Sequence, residues 1–155
     1  MPRIIRIMLA PKSEWARIGA DRPRHALAHM LVVSLLPAAA SFFLAQEMAL
    51  PQHVMLATYL AALLAILSIA AAFWLLTRFD LRDAELARCI QVAAYGATPA
   101  LLCVVALPYA LYLYYLGVQE LLRVPRAEAA QFVAIALLAA IAASTLGGAG
   151  LGALL

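Results

Sequence analysis

At 155 residues, 67% of them hydrophobic and 12% charged, with a mean hydropathy of +0.97, the chain carries far more apolar side chains and far fewer charges than a water-soluble domain. Apolar runs near the ~20 residues that cross a hydrocarbon layer recur along it, which points to one polytopic membrane domain and excludes an appended soluble one. The net charge of +3 comes from basic residues grouped between those runs, so their positions report topology before chemistry.

Residues 1–24 form a basic segment containing Arg3, Arg6, Lys12, Arg17, Arg22 and Arg24. Ile4, Ile5, Met8 and Leu9 recur at helical spacing, and Pro11 opens a second helical pattern in which Trp15 and Ile18 share a side. A short amphipathic helix of this kind lies in the interface of an anionic cytoplasmic leaflet, with Trp15 and Arg17 as interfacial anchors. The plainer alternative is a solvated basic arm that only sets orientation. No small-residue cleavage site follows the basic start, so the first apolar run reads as a retained signal anchor.

Five spans follow, at about residues 25–45, 54–76, 88–107, 108–122 and 126–146. They make residues 25–147 an all-α bundle of five transmembrane helices, ahead of a Gly-rich outer tail at 148–155. Arg78, Arg82 and Arg88 fall between the second and third spans, Arg123 and Arg126 between the fourth and fifth, and the remaining basic residues precede the first. Five crossings therefore put every Lys and Arg on one side, with Glu47 the charged residue of the other. The positive-inside rule sets the N-terminus in the cytoplasm and the C-terminus outside a bacterial inner (plasma) membrane, and dropping any one span scatters the arginines. In the 78–88 loop, Asp80 or Asp83 can cap the helix that enters the third span, and Glu85 can pair with Arg88. Cys89 and Cys103 lie too far apart along one helix to form a disulfide.

Pro37, midway along the first span, and Pro99, midway along the third, each withhold a donor from the carbonyl four residues earlier, those of Val33 and Tyr95. Both helices should kink there. Each carbonyl needs a donor from a neighbouring helix, from a hydroxyl such as Ser34 or Thr98, or from trapped water. Gly96 lets another helix approach closely. The fourth span, about 15 residues or ~22 Å long, falls short of a ~30 Å hydrocarbon layer, so it should form a tight hairpin with the third. On it Tyr109, Tyr112 and Tyr115 share a face. Tyr109 is close enough to the outer surface to be an interfacial anchor, whereas Tyr112 and Tyr115 lie deeper and should donate to something. Gly148 and Gly152 have GxxxG spacing, but at or beyond the outer end of the last helix, where a frayed tail is the simpler reading.

Chemical constellations are sparse. His25 and His29 have the spacing of two metal ligands on one helix, yet no third ligand accompanies them and His53 lies on the other side, so no metal or other cofactor is expected. Glu47 and Glu120 sit near opposite surfaces, which removes a mid-membrane proton relay. There is no P-loop, HExxH or GxSxG pattern, so no catalytic residue is assigned and the chain is not expected to be an enzyme. Topology already explains the basic arm, and no nucleic-acid partner is expected.

Pro11-x-x-x-Trp15-x-x-Ile18 before the first span, Tyr95-Gly96-x-x-Pro99 in the third, and a Tyr-rich fourth span ending in Tyr115-Leu116-Gly117 together resemble the Yip domain family in its compact bacterial form. The resemblance covers nearly the whole chain. In eukaryotes it implies Golgi and endoplasmic-reticulum membrane proteins that bind prenylated Rab-type GTPases, associate with one another and influence vesicle transport and membrane shape. This sequence lacks the long N-terminal cytosolic region and the Asp-Leu-Tyr-Gly-Pro type segment of those relatives, so a Rab-type GTPase is not among its expected partners. The expected role is that of a non-enzymatic inner-membrane scaffold, accessory subunit or lipid/protein-interaction module, meeting other membrane proteins or copies of itself. Its interaction surface would be formed by Tyr95, Gly96, Thr98, Pro99, Tyr112, Tyr115 and Gly117, with Pro37 as the second kink. The alternative is a small channel or transporter whose path runs beside the freed carbonyls and the tyrosine hydroxyls.

Overall fold

Backbone groups in hydrocarbon must be satisfied within their own segment, and a chain rich in Ala and Leu does this as helix. All regular structure among the described residues is accordingly helical. The computed structural model describes residues 3–20, 23–47, 50–79, 85–102 and 106–152. Two short helices, α1 (Arg3–Leu9) and α2 (Pro11–Ile18), precede α3 (Pro23–Leu44), α4 (Pro51–Phe79), α5 (Leu86–Gly96), α6 (Thr98–Leu102), α7 (Leu107–Leu122) and α8 (Arg126–Gly152). Pro11, Pro23, Pro51 and Pro108 stand at the first or second position of their helices, where a missing N–H removes no intrahelical bond. Arg22, Arg82, Cys103 and the expected caps Asp80 and Asp83 lie outside the described residues. Glu85 instead occupies the N-cap position of α5, its carbonyl accepting from the N–H groups of Arg88 (2.9 Å) and Cys89 (3.3 Å).

Three helices are long and apolar enough to cross a membrane, over Arg24–Leu44, Pro51–Phe79 and Arg126–Ala143. Their outward faces carry Leu35, Leu60, Leu64, Leu138 and Ile141, all exposed, which is the surface a bilayer covers and water does not tolerate. The expected third and fourth spans are different in kind. Residues 86–102 divide into α5 and α6 around a turn at Ala97, and α7 has 16 residues. Every residue from Gln91 to Pro99 is buried, with α5 packed among α3, α4 and α7.

The two expected kinks are not equivalent. Around Pro99 the helix breaks, and the ladder is carried across by Ala97 N–H to the Ala93 carbonyl (3.0 Å) and Leu101 N–H to the Ala97 carbonyl (3.1 Å). Around Pro37 helix α3 continues from Pro23 to Leu44, and the Ser34 hydroxyl, expected to answer a freed carbonyl, is buried with no bonded partner among the described residues. Helix α8 is helical to Gly152, past the point where the sequence suggested fraying. Between α7 and α8 the chain turns through Arg123, whose left-handed φ of 57° lets Val124 N–H reach back to the Val118 carbonyl at 3.2 Å.

The N-terminal helices are amphipathic as expected, but the bundle covers their apolar side. Ile7, Trp15 and Ile18 have no exposed surface, while Lys12, Ser13, Ala16 and Arg17 face outward. Met8 meets Tyr109, Trp15 meets Gly117 and Gly19 meets Leu121, so α1 and α2 follow α7 along its length in the same direction. Trp15 is therefore a core residue and not an interfacial anchor, because the seat made for it by Gly117 excludes lipid. The Tyr109 hydroxyl donates to the Met8 carbonyl at 2.7 Å and joins α7 to α1. A Cβ at residue 117 would stand 2.9 Å from the Trp15 ring. Gly117→Leu should therefore cost about 1–3 kcal/mol of overpacking and loosen α2. Tryptic cleavage after Lys12 and Arg17 in detergent should accelerate relative to wild type, and an unchanged cleavage rate would contradict this seat.

Candidate functional site

Tyr95 is the centre on which four helices converge. It is 1% exposed, at the buried end of α5. The ring of Trp15 from α2 meets it edge-on at 6.4 Å between centroids, and the His29 imidazole from α3 lies 4.4 Å away, tilted by 34°. His29 Nε2 is 2.8 Å from Thr98 Oγ1, and the Thr98 hydroxyl donates to the Ala94 carbonyl at 3.3 Å. A threonine hydroxyl has one proton to give. That proton can be directed at Ala94 or at His29, and the role of the imidazole nitrogen follows from the choice: donor in the first case, acceptor in the second. In either case Thr98 is wholly buried, so the hydroxyl meets no solvent. The chain of bonds ties α3 to α5 and α6 across the break that Pro99 creates.

Two glycines admit two aromatic rings into the same core. A Cβ on Gly96 would overlap the ring of Tyr114, whose hydroxyl donates to the Ala93 carbonyl at 3.4 Å. Gly117, about one turn further along α7, admits Trp15, and Gln91 Nε2 donates to the Ile18 carbonyl at 3.4 Å where α2 ends. Beneath Trp15, Glu14 is 2% exposed and stands 3.9 Å from both Arg6 and Arg17, so the base of the N-terminal helices is held by a buried carboxylate between two cations. Arg17 thus acts partly inside the fold, with its side chain otherwise 66% exposed.

Of the residues singled out by sequence, Tyr95, Gly96, Thr98, Pro99 and Gly117 come together in this buried cluster. Tyr112 and Tyr115 do not. They lie on the outer side of α7, Tyr112 40% exposed and Tyr115 half-buried. Pro37 is half-buried on α3, about two turns beyond His29. The Thr98 hydroxyl answers Ala94 and not the Tyr95 carbonyl expected of it. Sequence reasoning missed His29, Tyr114 and Glu14. His29 was paired with His25 by spacing, yet His25 is exposed and His29 turns inward. A signal for Tyr114 existed: Gly96 advertises a close neighbour, and Tyr114 is the phenol on α7 off the shared face of the other three.

Polar groups bonded to one another inside, with Leu and Ile outside on three long helices, define a multi-pass helical membrane protein. The chain belongs to the Yip1 domain family, whose family model matches residues 5–147. No curated protein matches the chain, and no solved structure does.

The His29–Thr98 bond can be measured directly. A double-mutant cycle of His29→Leu and Thr98→Val, followed by unfolding in detergent, should give a coupling of about 0.5–1.5 kcal/mol. Additive losses would show that the two side chains do not act as a pair.

Proposed function

We propose that this Yip1 domain protein is a non-enzymatic module of a bacterial inner membrane, a scaffold or accessory subunit that works through contacts with other membrane proteins, copies of itself and lipid. The observation that carries this reading is the closed packing around Tyr95. His29, Thr98 and Tyr114 are answered within the fold, through Thr98 to Ala94 and Tyr114 to Ala93, and the spaces at Gly96 and Gly117 are filled by rings. A channel would need these groups to face water, and Tyr95 and Thr98 expose 1% and 0% of their surface.

In this reading the N-terminus is cytoplasmic and the C-terminus outside. Helices α3, α4 and α8 cross the bilayer, and α5 to α7 enter and return on the cytoplasmic side. Such a hairpin keeps the arginines together as five crossings do, because either arrangement adds an even number of passes between α4 and α8. The contact of Tyr109 with α1 favours the hairpin that stays on one side.

Two experiments test the reading. Reconstituted protein should leave ion and small-solute flux at the level of empty liposomes; flux abolished by Pro99→Ala or Tyr112→Phe would overturn the scaffold role. A single cysteine placed at Leu107, with Cys89 and Cys103 replaced, should resist impermeant maleimide added outside intact cells. Labelling from outside would restore five crossings.

A further inference from the structure

The outer side of α7 carries residues that the packed core does not use. Tyr112 and Tyr115 each line two adjoining cavities. One, of about 190 Å³, is bounded also by Lys12 of α2, Gln119 of α7 and Arg126 at the start of α8. The other, of about 330 Å³, runs between α7 and α8 past Leu111, Ala130, Val133, Ala134 and Leu137. Because both phenols belong to both cavities, the two form one surface with a cationic, hydrogen-bonding mouth and an apolar floor. No carboxylate lines the mouth, and apart from the two phenols no polar side chain lines the groove.

These dimensions and chemistries match one class of molecule. From Arg126 to Leu137 helix α8 rises about 16 Å at ~1.5 Å per residue, the depth of one leaflet in a hydrocarbon core of ~30 Å. Ala130 and Ala134 leave the α8 side of the groove without bulky side chains, while Lys12 and Arg126 both line its mouth. Two cations with no facing carboxylate favour a headgroup whose phosphate charge is not cancelled by a choline or ammonium.

We propose that this cleft binds one anionic phospholipid of the cytoplasmic leaflet. Its phosphate sits between Lys12 and Arg126 and accepts hydrogen bonds from the phenols and the Gln119 amide, with one acyl chain along Ala130, Val133, Ala134 and Leu137. The assignment rests on the membrane reading above and adds a defined lipid and place to it. It also gives Tyr112 and Tyr115, which sequence marked as needing acceptors, a partner. Lys12 sits on α2 and Arg126 on α8, so the bound headgroup would bridge the N-terminal helices to the last span.

Native mass spectrometry of the full chain in mild detergent tests this, using equimolar dioleoyl phosphatidylglycerol and dioleoyl phosphatidylcholine as probes. The wild type should retain one phosphatidylglycerol in preference to phosphatidylcholine. Lys12→Gln and Arg126→Gln should each lower that preference about fivefold, the effect of one basic side chain near an anionic surface. Arg24→Gln, at an exposed cation away from the cleft, should leave it unchanged. Ala134→Trp should remove the retained lipid although both cations remain, and the milder Ala130→Leu should weaken it should the larger variant fail to fold. Equal retention of the two lipids would overturn the site. So would a loss with Arg24→Gln as large as with Lys12→Gln, displacement by equimolar inorganic phosphate, or a lipid-free dimer formed through this groove. Alkaline washing of membranes separates the two levels of inference. Wild type that stays in the pellet without lipid preference loses only the site, whereas wild type that washes free loses the membrane reading as well.

Discussion

Trp15 and the space left for it by Gly117 hold the N-terminal helices to the bundle. An indole buries roughly 150–250 Å², and where the alternative resting place is the bilayer the gain comes from close packing and not from removal from water. Its Nε1 has no hydrogen-bond partner among the described residues, and leaving a buried donor unmet costs about 1–3 kcal/mol. The indole nitrogen is unanswered, so what holds the N-terminal helices here is the packing of the ring against Gly117 and Tyr95. Because Trp15 also meets Tyr95 edge-on, the same contact braces α5 exactly where α3, α6 and α7 gather.

The core around Tyr95 solves a problem that Pro99 sets. A proline in the middle of a buried helix removes a donor where water cannot substitute. The chain responds by ending α5 at Gly96 and restarting at Thr98, and by anchoring the new helix start to His29 of α3. Gly96 serves the same region by letting the Tyr114 ring lie against the α5 backbone. Residues that break helices are thus the residues around which helices from distant parts of the chain are brought together.

Much of this was legible in the sequence, and the gaps have physical causes. The apolar segments became helices because composition and length leave few alternatives, and prolines at helix starts marked the boundaries. Charge asymmetry alone does not count crossings, since it records which side a loop lies on, and five crossings and a returning hairpin both keep the arginines together. The apolar stripe of Trp15 and Ile18 was plain, but a stripe says that a face is covered and not by what. Gly96 and Gly117 announced close approaches without naming the rings that make them. Tyr112 and Tyr115 were read with Tyr95 because they share a segment, although their positions on α7 turn them away from it. His29 was drawn to His25 by spacing alone, while its bond to Thr98 depends on how α3 meets α6.

The pairing of α1 with α7 also dictates an order of assembly. Met8 and Tyr109 are separated by 101 positions, with α3, α4 and α5 between them. At about 5–20 residues per second of synthesis, the seat for Trp15 does not exist until several seconds after Trp15 has left the ribosome. During that interval the N-terminal helices have no bundle to cover them, and their apolar side must rest on the bilayer surface or on an insertion factor. The docked state is a late step of biogenesis, and the basic residues that flank Trp15 are suited to hold the segment at an anionic surface until α7 arrives.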